Sequence, residues 1–173
     1  MKNYLFILVF TVLFLSCKSK VKIDKVESIP TIKENVNLVL DDWHLAASEA
    51  NYQGYFGKMD SISVFIGTDA TENWTKTQFE SFSKPYFDKG KAWSFTALER
   101  NVYVNDARNF VWFDELLDTW MGTCRGSGVL EKKNNSWLIK HYVLSVQIPN
   151  DDIQAVIQAK KKSDSIFLSR FNK

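Results

Sequence analysis

Cysteine, histidine, glycine, proline and long apolar runs are all scarce in this chain of 173 residues. It has 2 Cys, 2 His, 7 Gly and 3 Pro. Two cysteines cannot make a disulfide framework, and two histidines without Cys-x-x-Cys or His-x-x-x-His spacing argue against a dedicated metal site. So little glycine and proline excludes a collagen-like or low-complexity chain. There is no Gly-rich phosphate loop and no Gly-x-Ser-x-Gly, so no cofactor or nucleophile motif stands out. An excess of one charge is missing too. The formal net charge is +2, and +1 without the first sixteen residues, whose only charge is Lys2. That leaves no electrostatic footprint for nucleic acid. The longest apolar stretch, Leu5–Leu15 broken only by Thr11, falls short of the roughly 20 residues a spanning helix needs.

Aromatic residues are plentiful: 13 Phe, 6 Trp and 6 Tyr. Such rings fill a core or line an apolar cavity. With 45% hydrophobic and 24% charged residues, the composition is that of one ordinary globular domain. The start of the chain has its own logic. Lys2 precedes the short apolar run, and Ser16-Cys17 and the polar Lys18-Ser19-Lys20 follow it, the pattern of a secretory signal. Cys17 directly after Leu15-Ser16 resembles the lipobox of bacterial lipoproteins, with Phe14 where that motif usually has Leu. The resemblance implies a signal peptide over 1–16, acylation of Cys17 and a flexible tether over 17–30 closed by Pro30. It also implies an extracytoplasmic domain held on a membrane of the bacterial cell envelope by its lipid. Cys124 is then alone and reads as a small apolar filler of a strand.

The mature chain divides by periodicity. Ile32, Val36, Leu40, Trp43 and Ala47 recur at helical spacing, predicting a helix over 31–51. Tyr52, Tyr55 and Phe56 suggest a short second helix. Ile62, Val64 and Ile66 alternate with Ser61, Ser63 and Phe65 in a strand ending at Gly67. Asp69–Trp74 reads as a polar loop, and Thr75-Lys76-Thr77-Gln78 as a capping box opening a helix. From Ala92 to about Gln147 the period is two, with turn signals that mark strands near 92–104, 108–118, 120–132 and 136–147. Gly122, Gly126 and Gly128 within the third imply a strongly curved sheet. After Pro149, Asn150-Asp151 is positioned to cap an amphipathic helix in 149–173, whose Lys160-Lys161-Lys162 run reads as a solvated face.

Helices followed by one curved antiparallel sheet make an α+β fold. The element order resembles the nuclear transport factor 2-like cone, in which the sheet wraps around the N-terminal helices. Val64-Phe65-Ile66-Gly67-Thr68-Asp69 with Asn73-Trp74-Thr75, Arg125-Gly126-Ser127-Gly128-Val129-Leu130, and Trp137-Leu138-Ile139-Lys140-His141-Tyr142 narrow this to the SnoaL-like families, over a domain at 31–148. The resemblance implies a pocket between the concave sheet face and the first helix. In ketosteroid isomerase relatives a carboxylate after the first strand is the base, and Asp69 stands at about that position. Their donor on the first helix corresponds to Trp43, and their second acid to Ser127. Many SnoaL-like chains carry a histidine near Val143. The fold hosts isomerases, cyclases, dehydratases and binders, so it does not decide function.

Two readings remain. In one, Trp43, Trp74, Trp112, Asp114, Ser127 and Val143 line a cavity for a small apolar molecule, without catalysis. In the other, Asp69 and His141 with an acid from the strand 108–118 transfer a proton or hydrolyse a substrate. Asp69 reads first as a turn residue bonded to its own loop. If Trp137, Ile139, His141 and Val143 share one face, His141 lies within or near the cone. Asp114 and Glu115 alternate, so one faces inward, where burial raises a carboxyl pKa, and the other pairs with Arg125 or Arg100. No cofactor or metal is expected. A homodimer through the convex sheet face is compatible with either reading. Missing partners for Asp69 favour the binding module.

Overall fold

The computed structural model describes residues 27–171. The segment read as signal peptide, Cys17 and all but the last few tether residues lie outside the described residues. The elements are α1 (Ile29–Ser48), α2 (Tyr52–Gly57), β1 (Met59–Ile66), β2 (Asn73–Thr75), α3 (Lys76–Asp88), β3 (Thr96–Val104), β4 (Phe110–Thr119), β5 (Gly122–Lys133), β6 (Ser136–Val146) and α4 (Ile153–Leu168). No helix among them is long and apolar enough to cross a membrane.

Local chemistry accounts for the helix starts. The Ser28 hydroxyl accepts from the Thr31 N–H, and Pro30 occupies the first turn of α1, where its missing donor is not needed. Thr75 and Gln78 close the predicted capping box of α3 in both directions. Asn150 and Asp151 instead form a 3-10 turn, Asn150–Asp152, and α4 begins with no side-chain cap. No residue of α4 is buried.

The sheet order is β2-β1-β6-β5-β4-β3, antiparallel at every junction except β1–β6, which is parallel. The loop expected at 69–74 therefore ends in a short edge strand, β2. The buried stripe of α1, with Ile32, Val36, Leu40, Trp43, His44 and Ala47, lies on the concave face. That face presents Val111, Phe113, Glu115 and Leu117 from β4 and Cys124 and Leu130 from β5.

A bulge decides what β6 contributes. Val129 pairs with His141 but Leu130 with Ile139, so Lys140 is an extra residue. The slip flips everything after it. Trp137 and Ile139 point inward, then Tyr142 and Leu144, while His141 and Val143 face outward. The shared face expected for these four residues is thus interrupted at one position. On β1 the register also breaks between Met59 and Val64, and Ser63 and Phe65 take the inner positions while Ile62 is 72% exposed.

Asp60 pins both irregularities. Its carboxylate accepts from Lys133 at 2.6 Å, from the bulged Lys140 at 3.2 Å and from the Ile62 N–H at 3.0 Å. Burial alone raises its pKa, but these donors outweigh it and bring the group from 3.8 to about 2. A folded pKa below the unfolded one stabilises above about pH 4, and the contribution is lost as pH falls through about 2. Asp60→Asn is expected to lower stability at pH 7 by about 2 kcal/mol and to flatten the loss between pH 4 and 2. Urea unfolding midpoints across that range check this, and parallel curves for the two proteins contradict it.

Candidate functional site

Two features occupy the interior of the cone: a buried polar network and an aromatic cavity. The network centres on Glu115, which is fully buried on β4. One carboxylate oxygen accepts from His44 Nε2 of α1 at 2.9 Å and from the Tyr142 hydroxyl of β6 at 3.0 Å. The other accepts from Arg100 Nε of β3 at 2.9 Å. Arg100 extends to Asp41 of α1 at 2.8 Å and to the Asn37 carbonyl at 3.3 Å. Three elements thus donate to one acid on a fourth.

Burial is the largest influence on Glu115 and acts upward. The hydrogen bond and charge of His44, and then the charge of Arg100, more than offset it and leave the pKa lowered. The rise expected for an inward acid on this strand is therefore reversed. Burial and the neighbouring Glu115 charge push the Tyr142 phenol well above its ordinary value, so it remains a donor. Gly126 makes room: a Cβ there would collide with the Tyr142 hydroxyl and meet Glu115 Cγ at 3.0 Å. At Gly128 a Cβ would collide with the His141 backbone carbonyl and then with the Phe113 ring. The two central strand glycines thus admit rings to the concave face as well as bending the strand.

The aromatic cavity, of about 350 Å³, opens between β1, β2, α3, the segment leading into β3 and the β4–β5 turn. Phe65, Trp74, Phe79, Phe82, Trp93, Phe95, Met121 and Leu144 line it, with Glu72 and Thr68 among its few polar residues. Its walls are ordered by stacking: Phe65 on Phe79 at 3.9 Å, Trp74 on Phe82 at 4.5 Å and Trp93 against Phe79 at 5.7 Å. Trp120 joins the lining although it is 80% exposed. The turn that carries it is braced, because the Thr119 hydroxyl accepts from the Met121 N–H and donates to the Gly122 carbonyl. An exposed indole on a fixed turn beside an apolar cavity is a feature that core formation does not require.

The residues singled out from sequence are distributed unevenly around these features. Trp74 lines the cavity. Trp43 is 1% exposed, sandwiched between Tyr55 and Tyr142, each at 4.8 Å. Asp114, Ser127 and Val143 are cross-strand neighbours on the convex face, where Trp112 and His141 flank Val129 in the next row. Asp114 pairs there with Arg125 at 3.0 Å, and Trp112 stacks on Tyr103 at 5.8 Å. Asp69 bonds its own loop, accepting from the Thr71 N–H at 2.8 Å and hydroxyl at 2.6 Å. Those bonds lower its pKa. Neither Asp69 nor His141 lines the cavity. Cys124 is buried, as its strand position implied.

Sequence reasoning missed the roles of His44 and Tyr142, and it expected Arg100 to pair with an outward acid of this strand where the structure pairs it with the buried Glu115. His44 was legible only as a lone histidine on an apolar helix stripe, and Tyr142 depended on the unforeseen bulge. Among the described residues no cluster of three His, Cys, Asp or Glu suited to a metal ion is present.

Residues 36–149 match the family model of the SnoaL-like domain. The chain belongs to the SnoaL-like domain family. No curated protein matches it in sequence. The SnoaL-like fold seen here is similar to that of an NTF2-like protein of unknown function from Pseudomonas putida KT2440, with TM-score 0.58, 11% identity, and 72% of this chain and 92% of that one covered. It is also similar to a cystatin-like-fold domain of unknown function from Nostoc punctiforme, with TM-score 0.60, 12% identity and coverage of 84% and 100%. The association domain of CaMKII from C. elegans aligns with TM-score 0.56, 19% identity and coverage of 68% and 97%. At these identities the likeness establishes the fold alone.

Removing the Glu115 carboxylate strands the buried Arg100 charge and two further donors. Glu115→Ala is expected to destabilise the domain by about 3–5 kcal/mol in chemical denaturation. A loss below about 1 kcal/mol would show that the network is not what joins α1 to the sheet.

Proposed function

We propose that this protein is a lipid-anchored SnoaL-like binding domain that holds a small apolar aromatic molecule in the cavity between α3, β1 and the β4–β5 turn. The observation that carries the reading is the cavity wall. Stacked rings, one methionine and a leucine line a half-open cavity of about 350 Å³, with polar groups confined to a few positions, as in sites for small apolar ligands. The exposed Trp120 supports it, because its braced turn holds an indole beside the cavity where it covers a seated molecule. A binding rather than catalytic role is supported by the lining itself, whose one carboxylate, Glu72, is engaged with the Asp69 N–H at 3.1 Å. The Cys17 lipid keeps the domain at the membrane surface, where apolar molecules concentrate.

Every described element lies between Ile29 and Phe171, so residues 18–173 contain the folded unit. This portion is expected to bind N-phenyl-1-naphthylamine at one site with a rise in probe fluorescence. Ala92→Trp, which adds an indole to the lining, is expected to weaken that binding at least tenfold without lowering the unfolding temperature. Equal binding by both proteins contradicts the cavity reading. The anchor has a separate check. Cys17→Ser in the full chain is expected to move the protein from the membrane pellet to the soluble fraction on cell fractionation, and retention in the pellet contradicts lipidation as the anchor.

A further inference from the structure

Helix α4 carries an apolar row that the domain leaves largely in water. None of its residues is buried, and it packs chiefly against the 3-10 turns at its own two ends, Asn150–Asp152 and Ser169–Phe171. Yet the row is regular. Ile153, Ile157, Lys160, Asp164, Phe167 and Phe171 follow one another at alternating steps of four and three, the spacing of a helix-pairing seam. Ile153 is 41% exposed, Ile157 47% and Phe171 68%. Phe167 rests against the Phe171 ring at 5.5 Å and the Arg170 guanidinium at 5.3 Å. The lysine run is divided by the helical turn: Lys161 and Lys162 point to the side and back, and Lys160 alone joins the row.

The two charges in the middle of the row decide what covers it. Lys160 Nζ lies 3.5 Å from the Asp164 carboxylate, and both side chains are at least half exposed. A pair this open contributes little to a single helix. Turned end for end about Lys162, however, the row maps onto itself. Ile153 meets Phe171 of a second copy, Ile157 meets Phe167, and Lys160 meets Asp164. Beside the seam, Val156 meets Leu168 by the same operation. We propose that α4 pairs antiparallel with α4 of a second copy of this chain, about a two-fold axis that passes at Lys162 and closes a symmetric dimer. A parallel pair would set lysine against lysine and aspartate against aspartate, so charge selects the antiparallel one. A seam this short buries less than a standard interface, which makes the dimer reversible and dependent on concentration. The inference is independent of the aromatic cavity.

Sedimentation of residues 18–173 across a concentration series is expected to show a monomer–dimer equilibrium. Lys160→Glu sets a carboxylate against Asp164 of the second copy, and Asp164→Lys sets an ammonium against its Lys160. Each substitution alone is expected to weaken self-association at least about tenfold. An equimolar mixture of the two variants is expected to dimerise about as well as the wild type, because every charge then meets its opposite across the seam. That recovery cannot come from a fold lost in either variant. Ile157→Asp is expected to prevent pairing by itself and in mixtures. Spin labels on Gln154→Cys are expected to lie far apart, with roughly 24 Å of axial offset, where a parallel pair brings them side by side. Labels found side by side overturn the antiparallel seam. A dimer that none of the charge or Ile157 substitutions weakens places the contact elsewhere, such as the convex sheet face, and overturns the proposal. A monomer at every concentration overturns it too, even where the same substitutions weaken binding to phosphatidylglycerol vesicles and so make α4 a membrane-surface helix.

Discussion

One carboxylate without access to water holds the cone together. Glu115 sits on β4 with His44 of α1, Arg100 of β3 and Tyr142 of β6 all donating to it. An ion this deeply buried is tolerated only when its oxygens are satisfied, so the four elements are constrained to one relative placement. Much else follows from this demand. Gly126 has no side chain because the Tyr142 hydroxyl must pass over it to reach the acid. The Lys140 bulge exists at a position that turns Tyr142 inward, and Asp60 with two lysines secures that bulge from the other side.

The same constraint divides the interior. On one side of the network the rings of α2, α3 and β1 stack into a continuous aromatic body that opens as a cavity. On the other, α1 and the start of β3 leave a cleft lined by Asp41, His44, Leu45 and Ser48. Phe95, in the segment between α3 and β3, touches both.

Much of this fold was legible in the sequence, because periodicity and turn chemistry are local. The capping box at Thr75 and the helical stripe from Ile32 to Ala47 each announce an element through contacts within a few residues. Asp69 as a turn residue was legible for the same reason. The site was not, because its geometry depends on register. Alternation on β4 left Asp114 and Glu115 equivalent, and only pairing with Arg100 and with the glycines of β5 chooses between them. On β6 a single extra residue moved His141 and Val143 to the convex face and brought in Tyr142. Nothing in the spacing of Trp137, Ile139 and His141 signals that slip. The hydrophobic pattern of β1 pointed the wrong way as well, since Ile62 is exposed while Ser63 is buried.

The central claim, that the aromatic cavity is where a small apolar ligand sits, is tested most directly by locating one. Methyl-labelled residues 18–173 titrated with naphthalene offer reporters on both sides of the sheet. Met121 and Leu144 line the cavity, whereas Val129 and Val143 lie on the convex face. The account predicts saturable shifts and intermolecular Overhauser contacts at Met121 and Leu144, with Val129 and Val143 unmoved. Contacts confined to the convex valines, or no saturable contact at any methyl, would contradict it.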